Sequence, residues 1–268
     1  MATPKRPPPT FEVEFDGPGI YPEYIPLGTL ARALSAVQRL AVGAEIADGD
    51  EAEQEAESKV SLLQLRRGSA VCVFRSEVPE LALANLQETG AVLERPETIG
   101  DRGYILSPVE ELSAVARTLH STIVVRKPGR DGAVLATIGP ESYASMSQTV
   151  LTRGDAALSG KVVRVGGATE RKCGLRIPGR TRMLICTVES ADVARKLGQK
   201  LYEQVVVHGE ATWLRTSWTV VGFKIREVYQ PRLGEAEEMI QALRNAGGSA
   251  WDQIDDPEAY LEEVTGER

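Results

Sequence analysis

Apolar and acidic residues alternate at the start of the chain. Phe11, Val13 and Phe15 fall on one side and Glu12, Glu14 and Asp16 on the other, which predicts a half-buried strand ended by Gly17-Pro18-Gly19. An edge position in a sheet is expected for it. The period then becomes helical: Leu30, Leu34, Val37 and Ala41 predict a helix with Thr29 as its cap and an end near Gly43. From Ala47 to Glu57 the chain carries Asp48, Asp50, Glu51, Glu53, Glu55 and Glu57 with almost nothing apolar, so a solvated loop is expected. Strands at 59–66 and 69–75 follow, joined through Arg67-Gly68. Pro79 opens a short helix carrying Leu83 and Leu86. A second helix is signed by Ser107 as cap, Pro108 at its first position and Glu110 three residues after the cap, with Val109, Leu112, Val115 and Leu119 on one face. Strands at 122–127 and 133–138 make a hairpin around Pro128-Gly129-Arg130-Asp131-Gly132. The expectation is a flexible lead over 1–10 and an α+β domain with an antiparallel sheet over 11–148.

From Ala157 the pattern becomes a dense run of strands, at 160–165, 172–177, 182–188, 204–213 and 217–228. One helix lies between the third and fourth of them, capped by Ser190, with Val193, Leu197 and Leu201 on its inner face. The order β-β-β-α-β-β over 149–232, with Gly209 in the fourth strand, resembles the OB-fold. That resemblance implies a small five-stranded Greek-key barrel. Gly234 to Ala246 predicts an acidic amphipathic helix in a helical tail over 233–268.

Charge changes the picture more than composition does. With 42% hydrophobic and 26% charged residues the chain has the make-up of a folded globular protein. Its net charge of −7, however, is unevenly spread. Residues 151–232 carry 15 Lys and Arg against 7 Asp and Glu, whereas residues 233–268 carry 2 against 10. A basic segment followed by an acidic one implies either two different partners or a tail that competes for the chain's own basic surface. The three cysteines, Cys72, Cys173 and Cys186, are widely spaced and fit a reducing compartment. No apolar run approaches the roughly 18 residues of a membrane span, and the start lacks the apolar core of a signal peptide, so a cytoplasmic location is expected.

Complete catalytic constellations are absent from the sequence. Gly154 to Lys161 fails as a phosphate loop in its glycine spacing and by having Val162 where a hydroxyl must hold magnesium. Gly17-Pro18-Gly19 lacks the third glycine of a dinucleotide turn. His120 and His208 are the only histidines and have structural explanations, a helix end and an outward strand position. Neither zinc nor calcium spacing occurs. The expectation is a binding protein without catalytic residues, metal or cofactor. Carboxylates brought together from distant segments keep an enzyme open as an alternative.

Cations gather on the second and third strands of the basic segment: Arg171, Lys172, Arg176, Arg180 and Arg182. Arg215 lies between Trp213 and Trp218 in the loop before the last strand. Cations for phosphates and aromatic faces for bases are what single-stranded nucleic acid requires, so it is the expected partner. In the tail, Trp251, Ile254, Asp255, Asp256, Tyr260 and Leu261 set apolar anchors among acids. This segment resembles the C-terminal neutralising tails of type II antitoxins, which implies a protein partner. The alternative function is accordingly a protein-interaction scaffold, or an antitoxin-like protein that neutralises a toxin through this tail.

Overall fold

The computed structural model describes residues 8–43, 59–66, 70–129, 131–167, 170–180 and 183–230. The expected acidic loop and the acidic tail lie outside them. Among the described residues the architecture is α+β, with two sheets.

The first sheet is built from β1 (Phe11–Asp16), β2 (Val60–Arg66), β3 (Ala70–Ser76), β4 (Thr122–Arg126) and β5 (Val134–Ile138). They are antiparallel in the order β2-β3-β1-β4-β5, which corrects the expectation that β1 is an edge. Its acidic side does not face open water. Glu12 is buried; its carboxylate accepts two N–H bonds from Arg66, at 2.7 and 3.2 Å, and one from the Gly129 amide at 3.3 Å. Glu14 is paired with Arg126. Carboxylates supplied with donors in this way can occupy a central strand.

The apolar side of the sheet is covered by α1 (Leu27–Val42), α2 (Pro79–Glu94) and α3 (Leu106–Leu119), with α4 (Ser142–Val150) packed on α3. Phe11, Val13, Phe15, Phe74 and Ile123 meet Val37, Leu40, Leu86 and Leu112 in one core. The helix starts differ from those expected. Pro26, not Thr29, precedes α1, and its carbonyl accepts the Thr29 and Leu30 amides. The α2 helix runs 16 residues rather than being short. The α3 helix continues from a 3-10 turn at Gly103–Ile105, so Ser107 lies inside it and caps nothing at its start. No helix was expected at α4, whose Ser- and Thr-rich sequence buries only Met146 and Val150.

The second sheet is a closed barrel of β6 (Leu151–Gly166), β7 (Lys172–Arg176), β8 (Leu184–Val188), β9 (Gln204–Leu214) and β10 (Val220–Tyr229), in the order β10-β8-β7-β6-β9. The β10 strand runs parallel to β8, Lys224 opposite Thr187, and the β6–β7, β6–β9 and β7–β8 ladders are antiparallel. The α5 helix (Ala191–Gln199) lies between the third and fourth barrel strands, as in the OB-like arrangement expected. Ser190 caps it, its hydroxyl oxygen accepting the Val193 amide at 3.2 Å, and Leu197 is fully buried. Leu201 falls beyond the helix and is exposed. The first barrel strand is 16 residues long rather than six, and it bends to pair with β9 along Leu151–Lys161 and with β7 from Lys161 onward. Gly209 is needed where β9 crosses β10, because a Cβ there would stand 1.9 Å from the Lys224 carbonyl oxygen. At one end the barrel joins the first core: Leu151 and Leu214 belong to that core, and the Thr216 hydroxyl donates to the Gly100 carbonyl at 2.6 Å.

Candidate nucleic-acid interface

The inward positions of β6 and β7, Val162, Cys173 and Leu175, fill the barrel, which sends the intervening residues outward. An irregularity between Val162 and Arg164 lets Val165 return to the inside while Arg164 stays out. Lys161, Arg164, Lys172 and Arg176 therefore share the outer surface of two adjacent strands, with Lys161 in register with Arg176 and Arg164 with Gly174. Met183 lies over Gly174, where a Cβ would stand 2.5 Å from its sulfur.

These cations are not all engaged. Lys172 meets Glu170 at 3.5 Å. Lys161, Arg164 and Arg176 have no ion pair or side-chain hydrogen bond among the described residues. Like charges directly opposite on antiparallel strands cost stability. Lys161 nevertheless stands opposite Arg176, with no carboxylate paired to either among the described residues.

The remaining residues anticipated from sequence are distributed around this face. Arg171 donates to the Glu189 carbonyl at 3.0 Å at one end of the barrel. At the other end Arg180 donates to the Val220 carbonyl at 2.8 Å, which joins its loop to the start of β10. Arg182 lies outside the described residues, as do Trp251, Ile254, Asp255, Asp256, Tyr260 and Leu261. Trp213 and Arg215 do not form the anticipated stack. Trp213 is half-buried against the barrel core with its ring over Gly154, and Arg215 spends its Nε–H on the Leu151 carbonyl at 2.9 Å. Trp218 is different: 71% exposed, on a turn at φ 53°, with its amide donating to the Leu214 carbonyl at 2.8 Å. It presents a free aromatic face. Lys161 and Arg164 are the residues that sequence reasoning missed; their signal was the outward phase of a strand whose inward phase runs through Val162.

Elsewhere on the barrel Lys224 is paired with Glu189 and Arg195 with Asp192. A shallow recess of about 450 Å³ is lined by Asp155, His208, Arg226 and Glu227. Arg226 there is held by Asp155 at 2.6 Å and Glu210 at 3.3 Å. Gly154 to Lys161, the sequence nearest to a phosphate loop, is extended strand. The three cysteines are buried and free, Cys173 in register with Cys186, and burial pushes the Cys173 thiol up to about 12. No group of three His, Cys, Asp or Glu among the described residues is placed to hold a metal.

No protein-family model matches the chain, and no curated protein matches it. Among solved structures, a similar chain is the mitochondrial single-stranded DNA binding protein of S. cerevisiae, at 16% identity and a TM-score of 0.23, with 31% of this chain and 99% of that chain covered.

Proposed function

We propose that the protein is a non-enzymatic binder of single-stranded nucleic acid, taking the sugar-phosphate backbone across the outer face of β6 and β7 and stacking a base on Trp218. The observation that carries this reading is the set Lys161, Arg164 and Arg176, outward on neighbouring strands and free of carboxylate partners among the described residues. An ordinary solvated surface mixes signs, as Arg226 with Asp155 and Glu210 does on the same barrel. An unneutralised row instead favours a polyanion, whose condensed counterions are released on binding. Exposed aromatic surface such as that of Trp218 serves bases of any sequence.

The test is fluorescence anisotropy with a labelled single strand of about 20 nucleotides, enough to cover the site of one barrel of this kind. Full-length protein is expected to bind at low salt. Arg176→Ala and Lys161→Ala are each expected to weaken binding several-fold with an unchanged melting temperature. Equal affinity of both variants and the wild type would exclude this face.

A further inference from the structure

The turn that carries Trp218 is held from outside the barrel as well as from within. At φ 53° Trp218 lies in the left-handed region, which is unfavourable for a bulky side chain and persists only where the surroundings impose it. Part of the constraint is local. The Trp218 amide donates to the Leu214 carbonyl at 2.8 Å, the Leu214 amide to the Thr219 carbonyl at 3.0 Å, and the Ser217 hydroxyl to that of Thr219 at 2.9 Å. The rest comes from residues packed in or beside the first core. The Arg215 amide donates to the Val150 carbonyl and its Nε–H to the Leu151 carbonyl, both at 2.9 Å. The Thr216 hydroxyl donates to the Gly100 carbonyl at 2.6 Å. Gly100 follows the 3-10 turn Pro96–Ile99, whose Ile99 is fully buried in that core, and it turns the chain at φ 58°. Gly103 is then so close to the start of β10 that a Cβ on it would stand 2.8 Å from Val221 Cγ1. All this fixes the backbone under an indole that is 71% exposed.

We propose that Thr216 is a positioning residue for single-strand binding: its bond to Gly100 clamps the 215–219 turn to the first core and so preforms Trp218 as a base-stacking platform. The inference rests on the nucleic-acid reading above and deepens it. A backbone held in an unfavourable conformation beneath an exposed ring is not explained by packing of that ring. It is explained if the ring must be ordered before a base arrives, because ordering a side chain and its loop during binding is subtracted from the affinity. The clamp then acts on stacking alone. Thr216 carries no charge, so the phosphate contacts of β6 and β7, and the counterions they release, are unaffected by it.

Two readouts on the full chain test this. Amide relaxation of 15N-labelled protein is expected to give an order parameter of about 0.85 at Trp218, falling to about 0.6 or less in Thr216→Val and restored in Thr216→Ser. In anisotropy titrations with a single strand of about 20 nucleotides, Thr216→Val is expected to bind about 2- to 10-fold more weakly at an unchanged salt slope, and Thr216→Ser to match the wild type. In a Trp218→Ala background, Thr216→Val should cause no further loss. Thr216 is exposed, so these variants are expected to keep the wild-type melting temperature. The failures are distinguishable. No binding by the wild type, or equal affinity of Trp218→Ala, removes the stacking site and the clamp with it. If Trp218→Ala weakens binding but Thr216→Val does not, or if the Thr216→Val loss persists without Trp218, the clamp alone is overturned. A wild-type order parameter below about 0.6 at Trp218 overturns it too, and that measurement needs no variant to fold.

Discussion

Trp213 and Trp218 are five positions apart and do different work. The first closes the barrel over Gly154 and the second stands in solvent on a left-handed turn. Trp213→Ala is expected to cost about 2 kcal/mol or more of stability, read by chemical denaturation. Trp218→Ala is expected to change stability by less than about 0.5 kcal/mol while weakening single-strand binding by about 5- to 100-fold, the range of one stacked base. The cysteines give a second residue-scale expectation. Burial pushes the thiols of Cys72 and Cys173 up to about 11 and 12, and that of Cys186 higher still, with Cys173 beside it adding to the effect. The folded state thus favours the protonated thiol, so this contribution is complete below the ordinary thiol range and is lost as pH rises through 11 to 12. Stability measured by urea unfolding is expected to fall from about pH 9 upward, less steeply in Cys173→Ala.

The strands and helices show where local pattern decides and where distant partners do. The alternation in β7 to β10 and the Ser190 cap were enough to order the barrel, because each inward position is apolar and each turn has its own chemistry. Only the end of β6 was legible, since its earlier inward positions include Gly154 and Ala156, too small to mark a buried face. The central position of β1 was not legible at all. Its acids acquire donors from Arg66 and Arg126, 54 and 112 residues away in sequence, and no local pattern carries that information. Thr29 and Ser107 look like helix caps, but Pro26 and the 3-10 turn at Gly103–Ile105 begin the helices earlier. At the candidate site, Lys172 and Arg176 were visible as a cluster. Lys161 and Arg164 needed the register of β6 on β7, and the bond from Arg215 to the Leu151 carbonyl was not legible because Leu151 lies 64 residues earlier. At this scale Gly209→Ala is expected to destabilise the barrel by about 2 kcal/mol or more, since the β9 and β10 backbones must separate. Loss of the barrel's cooperative unfolding transition, or a lowered midpoint in calorimetry, checks it.

Across the whole molecule, a net charge of −7 conceals a basic barrel segment and an acidic C-terminal one. We expect removal of residues 233–268 to leave the melting temperature nearly unchanged and to tighten single-strand binding by about threefold or more at low salt, because a tethered polyanion competes for the same cations. Unchanged affinity after truncation would instead reserve the tail for a separate partner. Salt dependence tests the nucleic-acid reading most directly. Three to five phosphate contacts predict a slope of log K against log salt of about −2 to −3.5 for the full chain, and replacing Lys161, Arg164 and Arg176 together by alanine should make it shallower by roughly 2. Identical slopes for the two proteins, or no binding of single strands by the wild type at about 50 mM salt, would contradict it.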